Sequence, residues 1–159
     1  MASTLFVIAF LCGLWIEANA QTDPGDFCQE CPPGWTTFDK RCYLFHKQEK
    51  DWADAERTCT SLGANLASIR NAGVYKFLRQ MILRVTGSNK KTWAGGYDAP
   101  KEGVWLWSDG FHFDFKAWPK GEPNNLGGEH CMEFNLRGKD YVNDAKCTTR
   151  NSFICAKDP

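Results

Sequence analysis

The chain reads Glu122-Pro123-Asn124-Asn125-Leu126-Gly127-Gly128-Glu129-His130-Cys131 over one polar segment, and Asn143-Asp144 follows shortly before Cys147. Calcium binds six to eight oxygen atoms from carboxylates, amide carbonyls, the backbone and water. Side-chain oxygens of this kind are offered here by Glu122, Asn124, Glu129, Asn143 and Asp144. Because three of these side chains are carboxylates, they more than neutralise a divalent cation. We therefore predict one Ca²⁺ site formed by the two segments.

The first twenty residues have the pattern of a secretory signal peptide. Residues 5–16 are almost wholly apolar, and the stretch is too short to span a bilayer as a helix. Ala18-Asn19-Ala20 forms a small-x-small cleavage pattern, and a polar segment follows it. We expect residues 1–20 to be removed. Since no later apolar stretch is long enough to cross a membrane, we expect a secreted, extracellular protein without membrane insertion.

Size and composition predict one folded domain without a nucleic-acid partner. Residues 21–159 have the length of a single domain that buries most of the surface of its unfolded chain. The aromatic content of 14%, with seven tryptophans, argues against disorder. Lys and Arg together number 19, as do Asp and Glu. This balance gives no basic surface for nucleic acid or an anionic membrane.

The cysteines predict a disulfide framework. Of the eight in the chain, Cys12 lies in the expected signal peptide, and those that remain are Cys28, Cys31, Cys42, Cys59, Cys131, Cys147 and Cys155. In a secreted chain this set indicates disulfide bonds with one cysteine left over, and spacing alone does not select the pairing. Residues 28–31 also form a CxxC motif, but no βαβ pattern surrounds it, which disfavours a redox role.

Periodicity predicts two helices. Asp51 caps the first, which extends to about Leu62 and ends at Gly63. The second extends from about Ala72 to Val85, before Gly87. We expect the apolar stripes of both helices to face the core. These stripes are Trp52, Ala55, Cys59 and Leu62 in the first helix and Val74, Phe77, Leu78, Met81, Ile82 and Val85 in the second.

Short strands and one long loop complete the prediction. Strand-like segments occupy 42–45, 92–95, 105–107, 141–142 and 152–155. Residues 116–129 are rich in Pro, Gly and Asn, and such a loop needs a metal and a disulfide to hold one shape. Helices and short strands with a long irregular loop indicate an α+β domain.

The order of these features resembles the long-form C-type lectin-like domain. The motifs that carry the resemblance are Cys31-Pro32-Pro33-Gly34-Trp35 with Cys42-Tyr43, Trp52-Ala53-Asp54-Ala55-Glu56 with Cys59, Trp93-Ala94-Gly95-Gly96, Glu122-Pro123-Asn124, Cys131, Asn143-Asp144, Cys147 and Cys155. They extend from about Cys31 to Lys157. Each motif alone is weak, whereas the full set in this order is highly specific.

The resemblance implies a fold and a disulfide pairing. The fold has two helices packed on small antiparallel sheets, with a long calcium-binding loop and disulfide bracing. A short segment, residues 21–30, precedes the domain at 31–159, and Phe111, Phe113 and Phe115 fall near a turn and the long loop. The implied bonds are Cys31–Cys42, Cys59–Cys155 and Cys131–Cys147. Cys28 is then unpaired within the chain, which leaves an interchain bond in a homodimer, a capped thiol or an exchange with Cys31.

The resemblance also implies a function. In the sugar-binding members, the five predicted ligands hold Ca²⁺, the Glu122–Pro123 peptide is cis, and two vicinal sugar hydroxyls bind the ion. Glu122 and Glu129 then accept hydrogen bonds from the sugar, and Asn124 and Asn143 donate them. The acid-Pro-amide order is the mannose-type pattern, and residues 126–128 lack the aromatic ring usual at galactose sites. We expect mannose-type glycans on glycoproteins or microbial surfaces as partners.

The sequence departs from the family pattern in a core residue and in a second calcium site. Val142 stands where Trp usually precedes Asn-Asp, which puts a core contact in doubt. A second calcium site is incomplete. Asp98 and Glu102 lie near its expected positions, but Asn125 and His130 replace the usual carboxylates. Occupancy of that second site stays open.

Besides a lectin that acts in defence or venom, the sequence pattern also occurs in proteins with other functions. Some relatives are antifreeze proteins that use the same loop against ice, and some venom relatives bind proteins after losing the calcium ligands. An enzyme is disfavoured because no GxSxG motif is present. A glycosidase pair of Glu122 and Glu129 is disfavoured because chelated carboxylates are poor proton donors. His46, His112 and His130 form no HExxH or other zinc spacing, so structural roles are expected for them.

Overall fold

The chain was analysed as a computed structural model, which describes residues 30–159. The predicted signal peptide and Cys28 lie outside the described residues. Residues Cys31–Pro159 form one compact unit. Neither helix within residues 30–159 has the length and apolarity needed to cross a membrane.

The strands join into one sheet. They are β1 (Thr36–Phe38), β2 (Arg41–Lys50), β3 (Asn65–Leu66), β4 (Thr92–Tyr97), β5 (Leu106–Trp107), β6 (Cys131–Phe134), β7 (Val142–Ala145) and β8 (Asn151–Lys157). The order is β1-β2-β8-β4-β6-β7, with β3 paired to β8 and β5 to β4. All pairs are antiparallel except β4–β8, which is parallel. The α+β class is confirmed, and the expected small antiparallel sheets are here one mixed sheet.

Both predicted helices form, with side-chain caps at their N-termini. Helix α1 covers Trp52–Ser61, and the Asp51 side chain accepts a hydrogen bond from the backbone N–H of Asp54 at 2.8 Å. Helix α2 covers Ala72–Thr86, and the Asn71 side chain caps it in the same way. Each cap satisfies a backbone donor that has no partner within the helix.

The predicted apolar stripes pack on the core except at their last positions. Ala55, Cys59, Val74 and Leu78 are buried, among others. The prediction was wrong for Leu62 and Val85, whose side chains are 40% and 39% exposed. Leu62 follows the last residue of α1, and Val85 lies in the last turn of α2, where the chain leaves the core.

Tryptophan side chains connect the helix to the sheet. Trp93 is fully buried, and its Nε1–H donates to the carbonyl of Lys50 at 2.9 Å. Trp52 on α1 donates through Nε1–H to the carbonyl of Ala94 on β4 at 2.9 Å. These two rings thus contribute apolar area, and the polar atom of each is also satisfied.

The alternating phenylalanines belong to a loop, as expected. Phe113 stacks at a tilt on Trp107, with ring centroids 4.7 Å apart, and Phe115 lies against Trp118 at 5.6 Å. Trp118 in turn lies 4.8 Å from Trp105. This aromatic cluster fixes the first part of the long loop on the core without a strand ladder.

Several strands differ from the prediction, among them β3, β6 and β7. Strand β6 was not predicted, because all four of its residues are buried and it shows no alternation. The strand expected at 141–142 instead covers Val142–Ala145. As a result, Asn143 and Asp144 lie on β7 and pair with Glu133 and Met132 of β6. Val142 is fully buried opposite Phe134, so the absent Trp leaves no exposed gap at that position.

Three disulfide bonds cross-link the fold. They are Cys31–Cys42, Cys59–Cys155 and Cys131–Cys147, the pairs that the resemblance implies. Cys59–Cys155 joins α1 to β8 across a sequence separation of 96 residues. In the chain-entropy view, cross-linking so long a loop constrains the unfolded chain strongly.

Adjacent glycines on β4 give a matched test of this packing. A Cβ at position 95 would lie 2.5 Å from the backbone oxygen of Leu66, whereas the nearest atoms to a Cβ at position 96 belong to the Met132 side chain, at 2.9 Å and beyond. We expect Gly95→Ala to lower the free energy of unfolding by about 1–3 kcal/mol, as overpacking does. Gly96→Ala is expected to cost less. Urea denaturation of both variants measures the difference, and an equal or reversed order would contradict it.

Candidate functional site

The polar loop is attached to β7 through one carboxylate. Asp144 is only 1% exposed. Its Oδ1 accepts a hydrogen bond from the backbone N–H of Asn124 at 3.1 Å, and its Oδ2 accepts one from the N–H of Asn125 at 2.6 Å. Charge-assisted bonds of this kind are stronger than neutral ones. Asp144 therefore sets where the loop backbone lies.

Asparagine side chains shape the rest of the loop. Asn124 Oδ1 accepts from the N–H of Leu126 at 2.8 Å, and Asn125 Oδ1 accepts from the N–H of Glu129 at 2.7 Å. Such local side-chain bonds stabilise turns. Gly127 and Gly128 have φ values of 76° and 86°, in the region that favours glycine. The Glu122–Pro123 peptide is cis, as the resemblance implies.

Three carboxyl groups concentrate negative charge at this loop. Burial, followed by the hydrogen bond and the charge of Asp144, raises the pKa of Glu122 to about 7. Burial and the charge of Asp144 also raise the pKa of Glu129. Glu122 Oε2 is buried and has no hydrogen-bond partner. A hard cation fits this donor set, because it supplies both the missing partner and the missing positive charge.

The predicted ligands differ in how closely they approach Asp144. Glu122 and Asn124 contact Asp144 directly, and Glu129 interacts with its charge. Within residues 30–159, however, the carboxylate oxygens of Glu122, Glu129 and Asp144 do not all lie within 4.8 Å of one another. The loop is therefore built around Asp144, and the other acids surround it more loosely.

Asn143 points its amide nitrogen into the protein. Its Nδ2 donates to Glu133 Oε1 at 3.3 Å and also to the backbone oxygen of Asp144. Glu133 is fully buried, and its Oε2 accepts from Asn151 Nδ2 at 2.7 Å. Both N–H groups of Asn143 are thus used internally. The predicted donation from Asn143 to a sugar requires its amide to turn, a constraint that sequence reasoning missed.

Covalent and backbone bonds hold the two halves of the site together. Cys131–Cys147 links the start of β6 to the segment after β7. The N–H of His130 donates to the carbonyl of Ala145 at 3.1 Å, and the N–H of Trp52 donates to that of Cys147 at 2.9 Å. Helix α1 and both strands therefore support the loop.

A second polar cluster lies beside the first. Asp98, Glu102 and His130 bring one ligand atom each within 4.8 Å of one another. Asn125 connects this cluster to the loop, because its Nδ2 donates to Glu102 Oε2 at 2.6 Å. The sequence placed Asp98, Glu102, Asn125 and His130 near one another, but it did not predict that His130 contacts both acids.

A surface depression elsewhere has no assigned ligand. It measures about 340 Å³ and is lined by Arg41, Arg70 and Asp109, among others. Arg41 is already paired with Asp109 and Asp158 at 3.1 Å each. This network satisfies the charges of the depression internally.

Comparison with known proteins identifies the family. The family model described as "Lectin C-type domain" matches residues 48–157. The chain belongs to this family. Two of its curated relatives are lectins, and the chain is accordingly a lectin and not an enzyme.

Fish lectins are among its relatives. The galactose-specific lectin nattectin of Thalassophryne nattereri is 43% identical over 162 residues, which cover 99% of each chain. Ladderlectin of Oncorhynchus mykiss is 46% identical over 125 residues, which cover 78% of this chain and 65% of the relative.

Solved structures confirm the C-type lectin-like fold. Herring type II antifreeze protein superposes with a TM-score of 0.75 at 33% identity, over 81% of this chain and 99% of that one. A Ca²⁺-dependent type II antifreeze protein in its Ca²⁺-free form gives 0.74 at 36% identity, over 80% and 99%.

The raised pKa of Glu122 predicts how stability depends on pH in EDTA. An unfolded Glu titrates near 4.5, whereas the folded chain holds this proton up to about pH 7. The folded chain therefore binds more protons between these values, and its stability falls as pH rises from about 4.5 to 7. Glu122→Gln is expected to flatten this decline. Denaturation at several pH values measures it, with Glu30→Gln, an exposed acid outside the loop, as control. An unchanged slope in Glu122→Gln would contradict the assignment.

Proposed function

We propose that this lectin is secreted, depends on calcium and binds mannose-type glycans in the extracellular space. The observation that carries the proposal is the acid-Pro-amide segment 122–124, attached to β7 through Asp144. Signal-peptide features at residues 1–20 support secretion.

We propose that the cation is held by Glu122, Asn124, Glu129, Asn143 and Asp144. The buried, unpartnered oxygen of Glu122 and the raised pKa of Glu129 support this assignment. When bound, Ca²⁺ supplies open coordination positions that sugar hydroxyl oxygens fill. Asp144 has a further role, since its two oxygens keep the loop backbone in place.

The remaining capacity of these side chains orients the sugar. Glu122 and Glu129 accept hydrogen bonds from sugar hydroxyls, and the exposed amide of Asn124 donates one. Asn143 joins as a donor after its amide turns away from Glu133. Because each hydroxyl must meet an acceptor on one side and a donor on the other, the order acid-Pro-amide selects the hydroxyl geometry.

The mannose-type preference differs from the specificity in the name of one relative. Nattectin is called galactose-specific, and it is 43% identical to this chain. Two features of this chain support mannose. The segment 122–124 has the acid first and the amide last, and the loop that follows presents Leu126, which is 74% exposed, instead of an aromatic ring. Without an aromatic ring, the apolar face of galactose has no stacking partner here.

A column experiment tests sugar preference and metal dependence together. We expect the protein to be retained on mannose-agarose in calcium, to be released by EDTA, and to elute from galactose-agarose without retention. The double variant Glu122→Gln/Asn124→Asp exchanges acceptor and donor positions and is expected to lose mannose retention. Leu126→Ala, which changes the loop without changing a ligand, serves as the matched control.

Three outcomes would oppose the proposal in different ways. Retention that ignores EDTA would overturn the metal mechanism. Retention on galactose alone would overturn the sugar preference and would agree with the name of nattectin. Loss of retention in the Leu126→Ala control would show that the effect of the double variant does not come from its ligands.

Ice binding is the second candidate function. It is favoured by the similarity to herring type II antifreeze protein and to a Ca²⁺-dependent type II antifreeze protein, with TM-scores of 0.75 and 0.74. Thermal hysteresis in calcium without retention on any sugar column would select this function over the lectin.

Cys28 provides a route to a disulfide-linked homodimer. The three disulfide bonds use the six cysteines of residues 30–159, and once the proposed signal peptide has been removed with Cys12, Cys28 is the cysteine that remains. Two linked sites raise avidity by about 10²–10⁴ over one site where geometry permits. We expect Cys28→Ser to migrate as a monomer on a non-reducing gel and to elute earlier from mannose-agarose. Unchanged mobility relative to the parent chain would exclude the dimer.

A further inference from the structure

The second polar cluster combines one imidazole with two carboxylates. His130 Nδ1 lies 2.9 Å from Asp98 Oδ1 and 3.4 Å from Glu102 Oε2. Asp98 is 1% exposed, whereas His130 and Glu102 reach solvent, with side-chain exposures of 32% and 57%. The cluster is therefore open on one side and closed at its base.

The ligand types favour a transition metal over calcium. Calcium in proteins is bound by oxygen ligands in sets of six to eight. Zinc is bound by three or four ligands, and imidazole nitrogen with carboxylate oxygen is a common set. His130 thus supplies a nitrogen ligand, which zinc accepts readily and calcium does not favour.

The distances between the ligand atoms fit tetrahedral coordination of a metal ion. Zinc–ligand distances of about 2.0–2.1 Å place neighbouring ligands of a tetrahedron about 3.3–3.4 Å apart. The His130–Glu102 distance of 3.4 Å already has this value, and the His130–Asp98 distance of 2.9 Å must open slightly. The His130 side chain, which is 32% exposed, makes this adjustment, because Asp98 is buried.

Surrounding hydrogen bonds hold two of the three ligands in position. Asp98 Oδ2 accepts from the backbone N–H of Gly103 at 2.8 Å, which leaves Oδ1 directed at His130. The N–H of Asp98 donates to the carbonyl of His130 at 3.1 Å. Outer bonds of this kind orient metal ligands and are a feature of built metal sites.

We propose that Asp98, Glu102 and His130 bind Zn²⁺, with a fourth position left for water or an external ligand. The two carboxylates match the charge of the ion. These residues are distinct from the five proposed calcium ligands, so the inference goes beyond the proposed function. Asn125 gives the two sites a shared neighbour, because it contacts both Glu102 and Asp144.

Calorimetric titration with zinc chloride tests the proposal. The protein without its signal peptide is used in excess calcium, with Cys28→Ser as the background so that a free thiol does not bind zinc. We expect one Zn²⁺ per chain, and affinity at least tenfold lower in His130→Gln. His112→Gln, an exposed histidine outside the cluster, is the matched control and is expected to bind zinc normally.

Two further measurements keep the result interpretable. Glu102→Gln alters an exposed side chain, so it is expected to weaken zinc binding without affecting folding. Cobalt substitution is expected to give intense visible absorption bands typical of a tetrahedral site, absent in His130→Gln. Absence of zinc binding in the parent chain, or binding that His130→Gln and Glu102→Gln leave unchanged, would overturn the proposal. Neither result bears on retention by mannose-agarose, which is measured without zinc.

Discussion

Two hydrogen bonds to the carboxylate of Asp144 determine where the long loop lies. They join the backbone of Asn124 and Asn125 to β7, which is itself paired with β6 and cross-linked through Cys131–Cys147. A loop rich in Gly, Pro and Asn has no ladder of its own and takes its shape from such external contacts. Burial and the charge of the same carboxylate raise the pKa of Glu122 and Glu129, so the loop anchor also contributes to the electrostatics of the site.

Beneath the loop, a buried carboxylate governs an amide at the surface of the site. Glu133 is fully buried, and it receives hydrogen bonds from Asn143 and Asn151, with Lys91 Nζ at 3.4 Å. A buried charge without partners is strongly unfavourable, which explains why two amides turn towards it. The orientation of Asn143 is therefore a compromise between the core and the ligand.

The sequence predicted most of the fold, because the fold depends on local motifs and cysteine order, whereas the identity of the calcium ligands stays a prediction. The capping residue Asp51 marked the start of the first helix correctly. Strand β6 was not predicted, because its buried residues show no alternation. Its one charged residue, Glu133, accepts hydrogen bonds from residues on other strands. The contact between His130 and Asp98 spans 32 positions, and only the β4–β6 pairing brings the two together. Long-range pairing of this kind has no signature in a single sequence.

The positions of the two ends of the domain determine how it responds to a pulling force. Cys31 is bonded to Cys42, and Cys42 pairs with Lys157, so both ends leave the same end of the β2–β8 pair. A pulling force between the ends therefore breaks the residue pairs of β2 and β8 one after another, and it does not load them all at once. Once these pairs have separated as far as Leu44 and Cys155, the Cys59–Cys155 bond carries the tension to α1. Residues between Cys59 and Cys155 lie inside a covalently closed loop and bear no tension, so a domain tethered at one end and loaded at the other extends only outside that loop.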